Sequence, residues 1–473
     1  MAKFLRPSFF YSSAKNFCSA LQGPVVGIDL GFTNSSVSIV KNGKPMLITD
    51  DEGSRFTPSV VAFTKREVLV GAPAVEQSFL NSQNTIFGIK QLIGRKFDDS
   101  EVQKFRKTVP YKIVNSHGDA WVEAQGQLYS PSQIGAFILM KMKKTAENYL
   151  KTSATNAVLT VPANFNDSQR QATEEAGQLA GLRVLRVLDE PIAAAMAFDF
   201  PVFERKIVAI FDIGGANFNF SILEIEKGFF TIMSRSGSSF GGADFDNVIA
   251  HHIVSEFRQK NKFDLTKDLV AMQLIREAAE KAKCELSIAD KIDINLHIPL
   301  NNIHTHVKLS RSKFEQLSAD MIKGIIKPCE SAMYDAKVKP FNIYAVVLVG
   351  GMARAPMVIN LVKKVFGKEP NNLVSSDAAV ALGAAFMGNL IQVYNAWKFL
   401  ELSNAYLFTA SELNLAVGGE MLWGACANTV KSFFVNFDIL LLSHRSVRAF
   451  VVFSALHLQL DKKLSIAFTQ AER

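Results

Sequence analysis

One layout of residues occurs twice in this chain and restricts its fold more than any other feature. Ile207 to Leu223, IVAIFDIGGANFNFSIL, reads as a buried strand, an acid, a turn of small residues and a second strand with apolar/polar alternation. Val25 to Val40, VVGIDLGFTNSSVSIV, repeats that layout, with Asp29 and Gly31 where the later segment has Asp212 and Gly214. Small residues at such a tip let backbone N–H groups approach an anion closely. The acid can hold a hydrated cation that screens the anion's charge. A single glycine-rich hairpin is an ordinary turn; its repetition points to phosphate binding.

A third glycine element comes later. The strand predicted over Tyr344–Val349 delivers Gly350-Gly351-Met352-Ala353-Arg354, and Pro356 starts a helix running through Val365. This order presents backbone amides to a nucleotide and leaves Arg354 free to stack on a base. Between the elements, strands and helices alternate. Leu128–Leu150 reads as an amphipathic helix opened by Ser130-Pro131-Ser132, Ala157–Pro162 and Val184–Val187 as strands, and Asp167–Leu179 and Leu274–Ser287 as helices. The mixture indicates α/β with large lobes.

Composition supports a large core, since 473 residues at 48% hydrophobic and 20% charged suffice for two or more domains. The net charge of +8 does not predict nucleic-acid binding, because the cations are dispersed and no basic run has interleaved aromatics. Cys18, Cys284, Cys329 and Cys426 have no metal-ligand spacing and are expected as reduced thiols. Residues 1–23 carry Lys3, Arg6 and Lys15, four serines and no acid, the composition of a mitochondrial transit peptide. A mitochondrial matrix location follows as an expectation, with the cytoplasm as the alternative. No apolar run between Phe433 and Leu460 reaches the roughly 18 residues of a membrane span, because Ser443–Arg448 interrupts it.

From Val25 to about Leu390 the sequence resembles the seventy-kilodalton heat-shock chaperone family, and most closely its bacterial and mitochondrial branch. The resemblance is carried by GIDLGFTNS (Gly27–Ser35), RFTPSVVAF (Arg55–Phe63), IKQLIGRKFDD (Ile89–Asp99), VPANFNDSQRQAT (Val161–Thr173), VLRVLDEPIAAA (Val184–Ala195), FDIGGANFNFSILEI (Phe211–Ile225), REAAEKAKCELS (Arg276–Ser287) and VVLVGGMARAP (Val346–Pro356). It implies an actin/hexokinase-like, two-lobed ATPase domain over residues 24–390 that binds ATP or ADP with Mg²⁺, with K⁺ a candidate second ion.

By the same resemblance Gly31, Thr33 and Asn34 form the first phosphate loop, and Gly214, Gly215, Ala216 and Asn217 the second. Asp29 and Asp212 hold Mg²⁺ through water. Lys90 occupies the catalytic-lysine position, and Glu190 completes the cation and water network. Glu280, Lys283 and Ser287 line the adenosine pocket together with Gly242, while Gly350, Gly351 and Arg354 close over the base beside Asp377.

The departures fall within the grip itself. Phe32 replaces a hydroxyl that would face the terminal phosphate, and Ala216, Asn217 and Asn219 replace a glycine, a threonine and an aspartate of the family pattern. In Ser238–Asp246 one residue is missing and Ala243 stands for a glutamate. Removing one positioned polar group from such a site costs on the order of a hundredfold in rate, and grouped losses are not additive. Slow ATPase activity and nucleotide binding without turnover therefore both stay open.

After Leu390 the resemblance fades. Ile391–Leu402 lacks the acidic-apolar interdomain linker, and residues 391–473 are expected as a degenerate β-rich remnant, with Leu407–Gly419 and Lys463–Thr469 as worn strands. No working peptide clamp is expected, so capture of unfolded polypeptide is doubtful. Arg186 is present where J-domain co-chaperones contact the family, but without the linker J-protein stimulation is not expected. A GrpE-like nucleotide-exchange factor is the partner the resemblance implies. Three readings follow: a chaperone-family ATPase with weakened hydrolysis, a non-enzymatic relative that competes for co-chaperones, and a small-molecule kinase of the same fold superfamily.

Overall fold

A computed structural model describes residues 23–198, 200, 204–260, 265–298 and 303–392, without the side chains of 260, 267, 269 and 303. The expected leader and C-terminal remnant lie outside the described residues, apart from Gly23, Ile391 and Gln392.

Two sheets repeat one pattern. In the first lobe, Val25–Asp29 pairs antiparallel with Asn34–Lys41 and parallel with Asn156–Val161; Arg183–Asp189 and Lys44–Leu47 extend the two sides. In the second, Lys206–Ile213 pairs antiparallel with Phe218–Glu226 and parallel with Ala345–Val349, and Phe229–Ser238 forms the edge. Each acid-bearing strand is thus central, and parallel neighbours make both of its faces apolar. Val26, Ile28, Val208, Ala209 and Ile210 are all buried.

The helices obey the end signals in the sequence. Pro131–Leu150 opens with a capping box between Ser130 and Gln133, and Asp167–Leu179 with one between Asn166 and Gln169, so each N-terminus satisfies two orphan donors. Ile134, Ile138, Leu139 and Met142 on the first of these face the core at helical spacing. The second lobe has its own core, in which Phe211, Phe218, Phe220, Phe245 and Phe257 are fully buried.

A third apolar cluster joins the lobes, where a helix over residues 379–392 crosses the Glu190–Ala197 helix and the first central strand. Close approach there depends on missing side chains. A Cβ on Gly383 would lie 1.7 Å from the Ala193 carbonyl oxygen, and one on Gly27 would lie 2.1 Å from the Ala385 nitrogen. The two-lobed actin/hexokinase-like expectation is met, and both acid-tipped hairpins open into the cleft between the lobes. Among the described residues no helix is long and apolar enough to cross a membrane.

Candidate functional site: an acid-rich cleft between two glycine turns

The cleft encloses about 220 Å³ and is lined by Asp29, Gly31, Phe32, Thr33 and Asn34 from the first hairpin and by Asp212, Gly214, Gly215, Ala216, Asn217 and Asn219 from the second. Lys90, Glu190, Gly350, Gly351 and Asp377 complete the wall. The turns are tight enough to require their glycines. A Cβ on Gly31 would sit 1.9 Å from the Asn34 carbonyl oxygen, and one on Gly215 would sit 2.1 Å from Thr33 Oγ1 on the opposite turn. Gly350, at φ 85°, leans on the second hairpin, where a Cβ would meet the Ile213 carbonyl oxygen at 2.2 Å. The second turn is also held from behind: the Gly242 and Ala243 amides donate to the Gly214 and Gly215 carbonyls at 2.9 and 2.8 Å.

Four charged groups converge on the floor. Lys90, carried by the Ile89–Gln91 turn after left-handed Gly88, places Nζ 2.5 Å from Glu190 Oε1 and 3.9 Å from Asp29 Oδ1. Glu190 is the first residue of its helix and is 8% exposed. Asp29 accepts a hydrogen bond from Thr160 Oγ1 at 3.0 Å, whereas no hydrogen bond reaches the Asp212 carboxylate among the described residues.

Three carboxylates face one ammonium. Burial, with the charges of Glu190 and Asp29 added, pushes the Asp212 carboxyl up to about 8 against the pull of Lys90. Burial also raises Glu190. Lys90 moves up despite its own burial, because Glu190, Asp29 and Asp212 together favour the ammonium. The floor is short of positive charge, which a divalent cation would offset. Among the described residues no three acid, imidazole or thiol groups stand close enough to ligate an ion directly. The donor set therefore fits Mg²⁺ held by Asp29 and Asp212 through water.

Of the residues expected at the base end, Gly350, Gly351 and Asp377 line the cavity, whereas Gly242, Glu280, Lys283, Ser287 and Arg354 do not. Lys283 Nζ donates to Asp246 Oδ2 at 2.9 Å and to the Gly242 carbonyl at 3.2 Å, so it is tied to the helix that backs the second turn. Burial lifts the Asp246 carboxyl to about 6 even with Lys283 beside it. Ser287 Oγ donates within its own helix to the Lys283 carbonyl at 3.4 Å, and Glu280 is exposed. Arg354 is not free to stack as expected from the sequence. Its guanidinium is paired with Asp377, whose other oxygen accepts from Ser375 Oγ at 2.6 Å. Opening that pair is the step that would release Arg354 toward a base.

The departures can now be placed. Phe32 is half-buried, packs edge-on to Phe105 with centroids 6.4 Å apart, and lines the cleft beside Gly88. Asn219 is the direct cross-strand partner of Asp212. An aspartate there would set a further carboxylate against one that burial already disfavours. Ala243 projects at the exposed start of its helix. Sequence reasoning missed Thr160 and Phe105. A hydroxyl within the apolar run Ala157–Val161 is the available signal for Thr160; nothing local marks Phe105 as the partner of Phe32.

Two lobes with matched sheets, acid-tipped hairpins facing one cleft and a lysine on its floor define an ATPase-type, actin/hexokinase-like domain. Residues 25–420 match the family model described as Hsp70 protein. The chain is 55% identical over 387 residues to heat shock protein hsp-6 of Caenorhabditis elegans, an alignment covering 80% of this chain and 59% of that relative. The chain belongs to the Hsp70 family. It spans about three fifths of the length of the relative it matches.

Proposed function

We propose that this chain is an Mg-ATP-binding molecular chaperone of the Hsp70 type, with slow hydrolysis at Lys90. The convergence of Lys90, Glu190, Asp29 and Asp212 between two glycine turns is the observation that carries this reading. The turns offer backbone amides to phosphate oxygens, and Mg²⁺ held by the two aspartates supplies the charge that offsets them. Lys90 Nζ, steered by Glu190, orients the attacking water and neutralises charge that develops on the transferred phosphoryl group. Gly242, Glu280, Lys283, Ser287 and Arg354 form the base end once Arg354 leaves Asp377.

Single-turnover hydrolysis tests the catalytic part. Lys90→Ala should slow the step about a hundredfold or more, the usual scale for one such group. Equal rates in both proteins would leave a nucleotide binder that acts by occupying co-chaperones. Phe32 at the cleft wall and Asn219 opposite Asp212 favour that second reading, because both change groups nearest the phosphates. The family assignment leaves the small-molecule kinase reading without support. Mitochondrial location rests on the composition of residues 1–23 and a GrpE-like exchange factor on membership of the Hsp70 family; import into isolated mitochondria and co-purification test them. J-protein stimulation and polypeptide capture are not proposed, because Ile391–Leu402 lacks the acidic-apolar linker.

A further inference from the structure

A second and larger cavity, about 710 Å³, opens at the far end of the second lobe's central strands. It lies at the N-terminal ends of Lys206–Ile213 and Ala345–Val349, and Asp212 lies at the other end of the first of these. Six residues of extended chain place it about 20 Å from the cleft floor. Its wall contains four cations, Arg205, Lys206, Lys337 and Lys368, and no acid. Glu224 pairs with Arg205 and Glu204 with Lys206, neither of them part of the wall. Lys337 and Lys368 have no acidic partner among the described residues; Lys368 donates to the Ile343 carbonyl.

Apart from Asn342 and the Tyr344 hydroxyl, the remaining wall is apolar. Ile207, Met233, Val338 and Ile343 form its floor. At the rim Phe341 is 75% exposed and Tyr344 is 49% exposed, with the Lys206 ammonium 4.7 Å from the Tyr344 ring centroid. Exposed aromatic rings beside cations that lack acidic partners set this patch apart from ordinary surface.

We propose that this basin binds an acidic segment of a partner protein, with carboxylates on Lys337 and Lys368 and apolar side chains against the floor. The chain's own termini do not match it. Residues 1–22 contain cations and no acid, and residues 393–473 carry seven Lys and Arg against six Asp and Glu with no acidic run. A second copy is opposed by the net charge of +8. A small anion would use the two lysines and leave the aromatic rim uncovered, whereas a chain crossing the basin covers both. Single-stranded nucleic acid needs a cationic track for several phosphates, and only two cations here are uncompensated.

Fluorescence anisotropy with a labelled decapeptide alternating aspartate and leucine tests the assignment on the full chain. Saturable binding is expected, at least tenfold weaker in Lys337→Glu/Lys368→Glu, severalfold weaker in Phe341→Ala, and weaker as salt rises. Lys337→Gln, which removes one exposed charge without reversing it, should give an intermediate loss at unchanged melting temperature. Three results would overturn the proposal: no binding, binding indifferent to these substitutions, or a lysine-for-aspartate peptide, a thymidine decamer or tripolyphosphate binding as tightly as the acidic peptide.

Discussion

The Asp29 hairpin and the Asp212 hairpin are two copies of one device that have been given different electrostatic settings. Asp29 ends its strand with a hydroxyl donor at 3.0 Å and an ammonium at 3.9 Å. Asp212 sits one residue inside its strand end, opposite an amide side chain, and burial pushes it to about 8. One tip is satisfied by the protein, and the other waits for charge from outside. A shared geometry therefore does not imply a shared role: the first tip pairs with Lys90, and the second is the one whose charge state a bound cation would decide.

The largest expected effect separates the two acids directly. Asp29→Asn and Asp212→Asn should each slow any single-turnover hydrolysis about a hundredfold or more, the scale of losing a positioned charge from such a site. Their effects on the cation-free protein should oppose one another. Asp29→Asn removes a partner of Lys90 and lowers the melting temperature, whereas Asp212→Asn removes a carboxylate that burial disfavours and raises it at pH 8. Differential scanning calorimetry in EDTA reads both, and shifts of the same sign would break the comparison.

The pH dependence sharpens it. A carboxyl whose folded pKa is raised binds more protons in the native than in the unfolded state, so stability falls as pH rises through that window. For Asp212 the window runs from about 4, the ordinary carboxyl range, to about 8, and Glu190 adds in the same direction. Melting temperature in EDTA should therefore fall from pH 5 to pH 8, flatten in Asp212→Asn, and fall less with Mg²⁺ present. A flat profile in the parent protein would contradict the charge deficit.

Smaller effects belong to the turns. Gly215→Ala drives a methyl into Thr33 Oγ1 and should cost about 1–3 kcal/mol, the range for overpacking a close contact. Gly214→Ala meets only the Asn217 carbonyl oxygen at 3.8 Å and should stay within about 0.5 kcal/mol. Denaturant titration separates them. Phe32→Thr should give only a severalfold gain in turnover, measured by single-turnover hydrolysis, because the ring is already drawn toward Phe105.

Much of this cleft is legible in the sequence, because the acid, the small-residue turn and the alternating strand that follows are local signals. The strand before Asp29 starts at Val25 as expected, the one expected over Ile207–Phe211 runs on through the acid to Ile213, its partner extends to Glu226, and the helix expected over Asp167–Leu179 has those bounds. Contacts that close over long chain separations are not written locally. Thr160 reaches Asp29 across 131 positions, and the Phe32–Phe105 contact joins segments whose patterns give no hint of each other. Arg354 illustrates the same limit. Its position after a glycine pair is visible, but its capture by Asp377 depends on how the 379–392 helix brings that acid back to the cleft. The basin at the opposite end of the second lobe left no motif, because its cations come from Arg205, Lys206, Lys337 and Lys368 in three separated segments.

The central claim is that the cleft floor lacks one divalent cation's worth of charge and grips phosphate once that charge is supplied. Isothermal titration of ATP into the full chain, with Mg²⁺ and then with EDTA, tests it most directly. One saturable site with Mg²⁺, at least tenfold tighter than in EDTA, is the predicted result. Equal affinity in both conditions, or no binding by the folded protein, would contradict it.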